Sequence, residues 1–346
     1  MKLHKFFSFV LIAGALALFA ASCGSDDDDD PVATEAPAPT AAAPAPTEAP
    51  APPLRIAIVS PSASNDLAFS QSISDGVNAL GDDRNIDVAI TDGTFIVEEA
   101  AAQIRAYADE GYDLVIAHGS QYGGSLQEIA PDYPDITFAW GTAADTFGLD
   151  NVYAYTAASD QGGYVLGTMA GALTDSDVIG IVGPIEVGDA KLYVDGFKAG
   201  AEAQNSDANV SVVYTGSFSD VSLAEATAQA HIGQGADVMT GSAQMVVGAV
   251  GVAQDEGVLW FGTQADQRSL APEIVVASQV YKWEVILQQI VDDMDSGASG
   301  GKAFVVTLEN GGLEIAYNDA YNLPANVRQL AEDTIEGIID GSISTS

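Results

Sequence analysis

The alternation of short apolar strands with amphipathic helices is the feature that most limits how this chain can fold. The alternation begins at residues 54–80, with an apolar strand over 54–59, a polar turn, and a helix whose Ile73, Val77 and Leu80 share one face. A strand that leads directly into a helix opens a βαβ unit, and the same pattern recurs along the chain. The sequence therefore predicts an α/β fold built on parallel sheets.

The strand–helix pattern divides into two sets, each of a size suited to one lobe. Elements left over near the C-terminus indicate that the chain crosses between the lobes several times. Asn310-Gly311-Gly312 also predicts a hairpin turn between strand pieces at Phe304–Leu308 and Leu313–Ala316. The predicted division is lobe 1 at residues 54–157 plus 279–310, and lobe 2 at residues 158–278 plus 311–346.

The first 53 residues have the pattern of a secreted, lipid-anchored protein. Residues 1–22 combine a basic start with an apolar run and small residues, which is typical of a signal peptide. Cys23 is the only cysteine, and the preceding Ala-Ala-Ser resembles a lipobox, so we expect it to be acylated. Residues 23–53 are rich in Asp, Pro and Ala and predict a disordered tether. The expected location is the extracytoplasmic face of the cell membrane.

The charge of the chain limits its partners. The formal net charge is −38, and loss of the signal peptide, with Lys2 and Lys5, makes the chain more negative still. No basic stripe is present to displace counterions from phosphates, which excludes nucleic acid as a partner. An anionic ligand is disfavoured by the same field. We expect a monomer that binds a small neutral or cationic molecule.

Motifs of common enzymes are missing from the sequence. There is no Walker A run, no G-x-G-x-x-G between a strand and a helix, and no G-x-S-x-G elbow. Spaced clusters of His, Cys and carboxylates are missing too, so the sequence predicts neither a metal site nor a cofactor. Carboxylates are so abundant that a hydrolase of glycosides or nucleosides stays open as a distant alternative.

Candidate ligand-binding residues lie where the predicted strands end. In open α/β sheets, ligands lie outside the carboxyl ends of the strands, and here the crevice between the lobes is the expected site. A loop aromatic such as Phe69 can stack on a planar base, and polar groups can hydrogen-bond to its edges. For Ser, Thr and Asp the alternative is a helix cap or turn residue, and for Phe69 it is a core position. The candidates are Asp66, Phe69, Ser70, His118, Ser120, Thr142, Phe218, Gln244, Gln264 and Asp266.

Short segments of this chain, in order, resemble those of one known family. The loop Asp66–Gln71 is similar to a D-x-S-F-N-Q loop of the basic membrane protein family, substrate-binding lipoproteins that include purine-nucleoside receptors of bacterial ABC importers. The similarity covers nearly all of residues 54–341. Its further segments are residues 112–116, 133–139, 180–183, 196–200, 216–220, 235–238, 266–267 and 270–272.

The resemblance implies a type I periplasmic-binding-protein fold, in which two Rossmann-like lobes with parallel-sheet cores are joined by a hinge of three crossings. It also implies closure around one small ligand, which is delivered to an ABC transporter permease. In nucleoside-binding members, aromatic rings sandwich the purine, while carboxylates and a lysine hold the ribose. Phe69 and Asp66 match family positions.

Other family positions differ in this chain. Where the family is expected to have an acid after the fourth strand, this chain has Thr142. Thr240 stands at the position of a second stacking Phe, and the position of a further acid falls near Gln264. The lysine aligns near Tyr281 or Lys282, in a run that also offers Trp283 as a ligand contact. These losses remove carboxylate acceptors for ribose hydroxyls.

The ligand predicted from the resemblance is a purine base or a nucleoside, bound without chemical conversion. Another small polar solute, such as a sugar, is the alternative. A lipoprotein that senses its ligand rather than feeding a permease would have the same sequence features.

Overall fold

The computed structural model describes residues 52–81 and 84–345. Strands and helices alternate through these residues, as the hydrophobic pattern predicts. The strands are β1 Leu54–Val59, β2 Ile86–Thr91, β3 Leu114–His118, β4 Thr137–Gly141, β5 Val152–Ala157, β6 Val178–Gly183, β7 Asn209–Tyr214, β8 Val238–Gly241, β9 Leu259–Gln264, β10 Val275–Tyr281, β11 Ala303–Val306 and β12 Leu313–Tyr317. The helices are α1 Phe69–Gly81, α2 Val97–Asp109, α3 Gly123–Ile129, α4 Ser159–Leu173, α5 Gly188–Gln204, α6 Val221–Gly233, α7 Val246–Glu256, α8 Glu284–Asp295 and α9 Ala325–Ile339.

Two six-stranded sheets form the cores of two lobes. The first has the order β11-β5-β4-β3-β1-β2, and the second has the order β12-β10-β9-β8-β6-β7. Every pairing is parallel except that of β10 with β12. Central strands such as β3 and β4 are buried along their whole length, because helices cover both faces of each sheet. In each sheet the strand order reverses once, beside β1 and beside β6, and ligands bind at such switch points.

Within the described residues, the chain passes between the lobes three times. The crossings lie between β5 and α4, between β10 and α8, and between β11 and β12, since β11 pairs with β5 and β12 pairs with β10. The hairpin predicted at Asn310–Gly312 is therefore wrong. These residues do form a tight turn, in which Asn310 Oδ1 accepts from the backbone N–H groups of Thr307 and Gly312 at 2.8 and 2.9 Å. The turn leads from one sheet into the other. The predicted boundary between residues 278 and 279 is also wrong, because it falls inside β10.

Small residues allow the closest helix contact in the second lobe. Helices α4 and α5 pack so closely that a Cβ added at Gly167 would lie 2.0 Å from the carbonyl oxygen of Phe197. A Cβ at Gly200 would lie 2.1 Å from the carbonyl oxygen of Tyr164. The helix pair holds the amino end of α5 against the crossing into the second lobe. That end carries Asp189, which faces the cleft between the lobes.

Candidate ligand-binding cleft

A cleft with about 460 Å³ of space, part of it open to solvent, lies between the carboxyl ends of the two sheets. Residues of both lobes line it, which is the arrangement expected for a ligand enclosed by lobe closure. The first lobe contributes Pro61, Phe69, Phe95, Ser120, Gln121 and Thr142, and the second contributes Val187, Gly188, Asp189, Ala190, Phe218, Ala243, Gln244 and Gln264.

Phe69 forms an aromatic wall of the cleft and is held in place from behind. Its ring stacks on the imidazole of His118, with 4.0 Å between the ring centroids. Because a carbonyl oxygen only accepts, Nε2 of His118 donates to the backbone oxygen of Phe69 at 3.1 Å, and the Tyr155 hydroxyl donates to Nδ1 at 2.7 Å. Complete burial lowers the pKa of His118 to about 3, so the ring is neutral at physiological pH. The imidazole is thus a fixed support for Phe69.

Two further phenylalanines line the cleft near the outer edge of the sheets. Phe218 follows β7, the edge strand of the second sheet, and Phe95 follows β2, the edge strand of the first. Phe95 is 43% exposed although it is large and apolar. Phe69 and Phe218 come from opposite lobes and line the same cleft.

Asp189 is the one ionisable side chain among the described residues that line the cleft. It is 7% exposed and lies in the first turn of α5. Thr142 of the other lobe donates to Oδ1 and Tyr281 donates to Oδ2, each at 3.2 Å. Burial raises the pKa of Asp189, while these two hydroxyls and the backbone N–H groups at the start of α5 oppose that rise. The cleft therefore has an acceptor-rich, cation-free wall.

Gln264 brings an unpaired acceptor to the same region. The residue is 2% exposed, and its Oε1 has no hydrogen-bond partner within the described part of the chain. Its backbone, with φ of 73°, lies in the left-handed region that is uncommon for side chains other than glycine. Ala243, also in the cleft wall, has φ of 71°. Strained backbone and unsatisfied buried polar groups concentrate at binding sites, where a ligand supplies the missing partner.

Among the residues that the structure describes, two hydrogen bonds connect the lobes across the cleft. One is the bond from Thr142 to Asp189. In the other, Gln267 Nε2 donates to the backbone oxygen of Leu67 at 3.2 Å. Both bonds join segments that follow strands of different sheets, and opening of the lobes would break them. The structure thus has the two lobes in contact around the cleft.

Six of the residues predicted from sequence line the cleft. They are Phe69, Ser120, Thr142, Phe218, Gln244 and Gln264.

Three other predicted residues support the cleft instead of lining it. Asp66 accepts from backbone N–H groups at the start of α1 at 2.9 to 3.2 Å, so it is a capping residue. Ser70 is buried and hydrogen-bonds to Ser62 at 2.7 Å. His118 lies behind Phe69, as described above.

The remaining predicted residues lie elsewhere. Thr240 is buried in β8 and bonds to Tyr193 and to the carbonyl of Phe261. Asp266 pairs with Arg268 and faces a separate crevice beside α1. Tyr281 is buried, donates to Asp189 and lines the same separate crevice as Asp266. Trp283 is buried and donates to Ser72 Oγ at 2.8 Å. Cys23 and the predicted signal peptide and tether lie outside the described residues.

Sequence reasoning did not single out Asp189, Phe95 or Gln121. The strand-end rule that indicated Asp66 in the first lobe applies equally to the segment after β6, where Asp189 lies in the first turn of α5. An acid at the start of a helix is ordinarily a capping or first-turn residue, so the sequence pattern alone does not indicate a ligand contact there.

Two other kinds of feature are absent from residues 52–81 and 84–345. No group of three or more His, Cys, Asp or Glu side chains is arranged to hold a metal ion there. Within the same ranges, no helix has the length and apolar character needed to cross a membrane.

Comparison with known proteins identifies the family. A family model described as Bmp, ABC transporter substrate-binding protein PnrA-like, matches residues 54–345. The chain belongs to this family. It is 26% identical over 268 residues to a purine-binding protein of Brucella abortus, covering 78% of this chain and 75% of that protein. It is 25% identical over 319 residues to the nucleoside-binding protein BmpA of Lactococcus lactis, covering 84% and 88%.

A solved structure agrees with the fold. The solute-binding protein of an ABC transporter system from Conexibacter woesei superposes with a TM-score of 0.71 at 23% identity, covering 84% of this chain and 98% of that one. The predicted type I periplasmic-binding-protein fold is thereby confirmed, as is the resemblance on which it rested. Membership of the Bmp family makes the protein an extracytoplasmic ABC substrate-binding protein, with a small-molecule ligand and a permease as partners.

Proposed function

We propose that the Bmp-family protein binds a purine, as a base or nucleoside, in the cleft between its lobes. The observation that carries this proposal is the pair Phe69 and Phe218, one from each lobe, lining the same cleft. Phe69 is stacked on the buried His118 ring, which leaves its other face for a ligand. The purine-binding and nucleoside-binding relatives support the same ligand class.

Stacking of this kind supplies a useful share of the binding energy. A base stacked on one aromatic side chain gains about 1–3 kcal/mol in nucleic-acid systems. A ring enclosed between two such residues gains more, and lobe closure around it removes both faces from water. Because Phe69 is already fixed by His118 and Tyr155, little conformational entropy is lost when the ligand binds.

The charges of the cleft favour a neutral ligand. Asp189 is the only charged group on the described walls, and the whole chain is strongly acidic. A nucleotide phosphate would meet repulsion and no cationic partner among these residues. A neutral purine with N–H or O–H donors can instead satisfy the acceptors of Asp189 and Gln264.

We further propose that the ligand is bound and released unchanged, and that the protein is held at the membrane by acylation of Cys23. The purified protein should be tested by calorimetry and thermal shift against purine bases, purine and pyrimidine nucleosides, nucleotides and neutral sugars. A ligand at 100 times its dissociation constant should stabilise the fold by about 2.7 kcal/mol. A response to sugars alone, or to none of these compounds, would overturn the purine proposal.

Two controls complete the test. Chromatography after incubation should recover the nucleoside intact, whereas release of free base would show a hydrolase. For the anchor, Cys23→Ser should move the protein from the detergent phase to the aqueous phase in a detergent partition. A wild-type protein that partitions into the aqueous phase would contradict acylation.

A further inference from the structure

Gln267 follows β9 of the second lobe, and its side chain is fully buried. Its amide makes three hydrogen bonds with other described residues. Two of them stay within the second lobe: Trp260 Nε1 donates to Oε1 at 2.9 Å, and Nε2 donates to the backbone oxygen of Thr263 at 3.3 Å. The third leaves the lobe, because Nε2 also donates to the backbone oxygen of Leu67 at 3.2 Å.

The chemistry of these partners fixes the direction of the amide. An indole N–H only donates, so the atom of Gln267 that faces Trp260 is the oxygen. The amide nitrogen therefore faces the carbonyl oxygens of Thr263 and Leu67. Gly262 leaves the space that this side chain fills, since a Cβ there would lie 2.9 Å from Cβ of Gln267. The second lobe thus presents a preformed hydrogen-bond donor to the first.

The acceptor lies in the short segment that leads into Phe69. Leu67 has φ of 53°, in the left-handed region that a leucine seldom adopts. Its backbone N–H donates to Oε1 of Gln71 at 2.9 Å, and its carbonyl accepts from Gln267. Side-chain amides from both lobes therefore hold the backbone of Leu67, two residues before the aromatic wall of the cleft.

We infer that Gln267 is a closure latch, that is, a positioning residue that holds the two lobes together with or without a ligand. It also fixes the segment before Phe69 through the carbonyl of Leu67. The inference concerns closure of the lobes and does not depend on which molecule the cleft binds.

The position of the bond separates it from the other cross-lobe bond among the described residues. Thr142 and Asp189 both line the cleft, so a ligand competes for both partners of their bond. Neither Gln267 nor Leu67 lines the cleft. A ligand can therefore enter the cleft and leave the Gln267 bond intact.

The test measures the ratio of closed to open molecules from pulsed EPR distances in the ligand-free protein. The spin labels are placed through Glu98→Cys in α2 of the first lobe and Glu225→Cys in α6 of the second, both exposed, in a Cys23→Ser background that removes the only native thiol. Wild type should contain a closed population. Gln267→Met should lower the closed-to-open ratio about 2- to 10-fold, which is the usual worth of one hydrogen bond. The two bonds within the second lobe are lost from open and closed molecules alike, so they cancel in this ratio.

Asn318→Leu is the matched control. Asn318 is also a buried amide, and its Nδ2 donates to the backbone oxygens of Pro272 and Val275 at 2.7 Å, all within the second lobe. Its loss should lower the stability of the fold and leave the closed-to-open ratio unchanged.

A second variant keeps the bond to Trp260. Gln267→Glu retains an oxygen for the indole N–H but turns an acceptor toward the carbonyl of Leu67. The closed-to-open ratio should fall at least as far as in Gln267→Met.

Ligand release gives a kinetic readout that a folding defect would not move. Release of a bound ligand requires the lobes to open, so the dissociation rate of inosine should rise about 2- to 10-fold in Gln267→Met, with no fall in its association rate. A folding defect would lower the fraction of active protein and leave the dissociation rate unchanged.

The outcomes separate the latch from the proposed function. An unchanged ratio in Gln267→Met, an equal change in Asn318→Leu, or a wild type with the open distance alone would overturn the latch. Failure of inosine to bind would count against the proposed function only, because the distance measurement needs no ligand. Should neither Gln267 variant fold, Thr142→Val decides: with that bond removed, a remaining closed population supports the latch, and its complete loss overturns it.

Discussion

Acidification should destabilise the ligand-free protein through His118, and the size of the effect follows from the burial of this ring. The perturbation is a change from pH 7 to pH 5, applied to wild type and to His118→Gln. In the folded state burial lowers the pKa of His118 to about 3. In the unfolded state an unperturbed histidine has a pKa of about 6.5.

The sign follows from which state binds the proton. Below pH 6.5 the unfolded chain takes up a proton at His118, and the folded protein does not do so until about pH 3. Stability from this group is therefore fully present above pH 6.5 and is lost as the pH falls. The slope is about 1.4 kcal/mol per pH unit, which amounts to roughly 2 kcal/mol between pH 7 and pH 5.

Urea denaturation at both pH values measures this loss. Other groups with shifted pKa values, such as His231 and Asp75, contribute to both proteins and cancel in the comparison. Wild type should lose about 2 kcal/mol more than His118→Gln between pH 7 and pH 5. Equal losses, or an NMR titration of the His118 ring with a midpoint near pH 6.5, would refute the account of this residue as a neutral buried support.

Three further predictions test the stacking wall, the cost of the buried acid and the packing of the helices. Phe69→Ala should weaken purine binding by about 1–3 kcal/mol, whereas Phe147→Ala, at an exposed site outside the cleft, should leave affinity unchanged. Because burial raises the pKa of Asp189, the ionised carboxylate costs stability. Asp189→Asn should therefore raise the melting temperature of the ligand-free protein at pH 7. No gain in melting temperature should remain below about pH 3.9. A lower melting temperature at pH 7 would contradict this. Gly167→Ala should destabilise by about 1–3 kcal/mol, because the added Cβ would lie 2.0 Å from the carbonyl oxygen of Phe197 in α5. Gly251→Ala in α7 meets no atom within 4 Å and should stabilise by about 0.5–1 kcal/mol, and both changes are read from denaturation curves.

The strand–helix order could be predicted because it depends on local periodicity. The face of α1 formed by Ile73, Val77 and Leu80 is buried as predicted, and the strands follow the apolar runs. The turn at Asn310–Gly312 does not form the predicted hairpin, because the same turn residues can connect two strands that pair with each other or two strands of different sheets. Strand pairing depends on contacts distant in sequence, which turn residues do not encode.

The sequence predicts the position of the candidate site better than it predicts which side chains enter it. Polar residues at strand ends do lie around the cleft, because parallel strands bring their carboxyl ends to one edge. The rule gives no side-chain direction, however. Asp66 turns back to cap α1 and His118 packs behind Phe69, while Asp189 enters the cleft from a helix. Only the folded chain brings Asp189 to Thr142, a residue of the other lobe.

A crystal structure of the protein grown with inosine tests the central claim most directly. The account predicts the purine ring stacked between Phe69 and Phe218, within van der Waals contact of both, and no displacement of His118 from behind Phe69. Inosine bound elsewhere, for example in the crevice lined by Asp75 and Asp266, or bound in the cleft without contact to either phenylalanine, would contradict it.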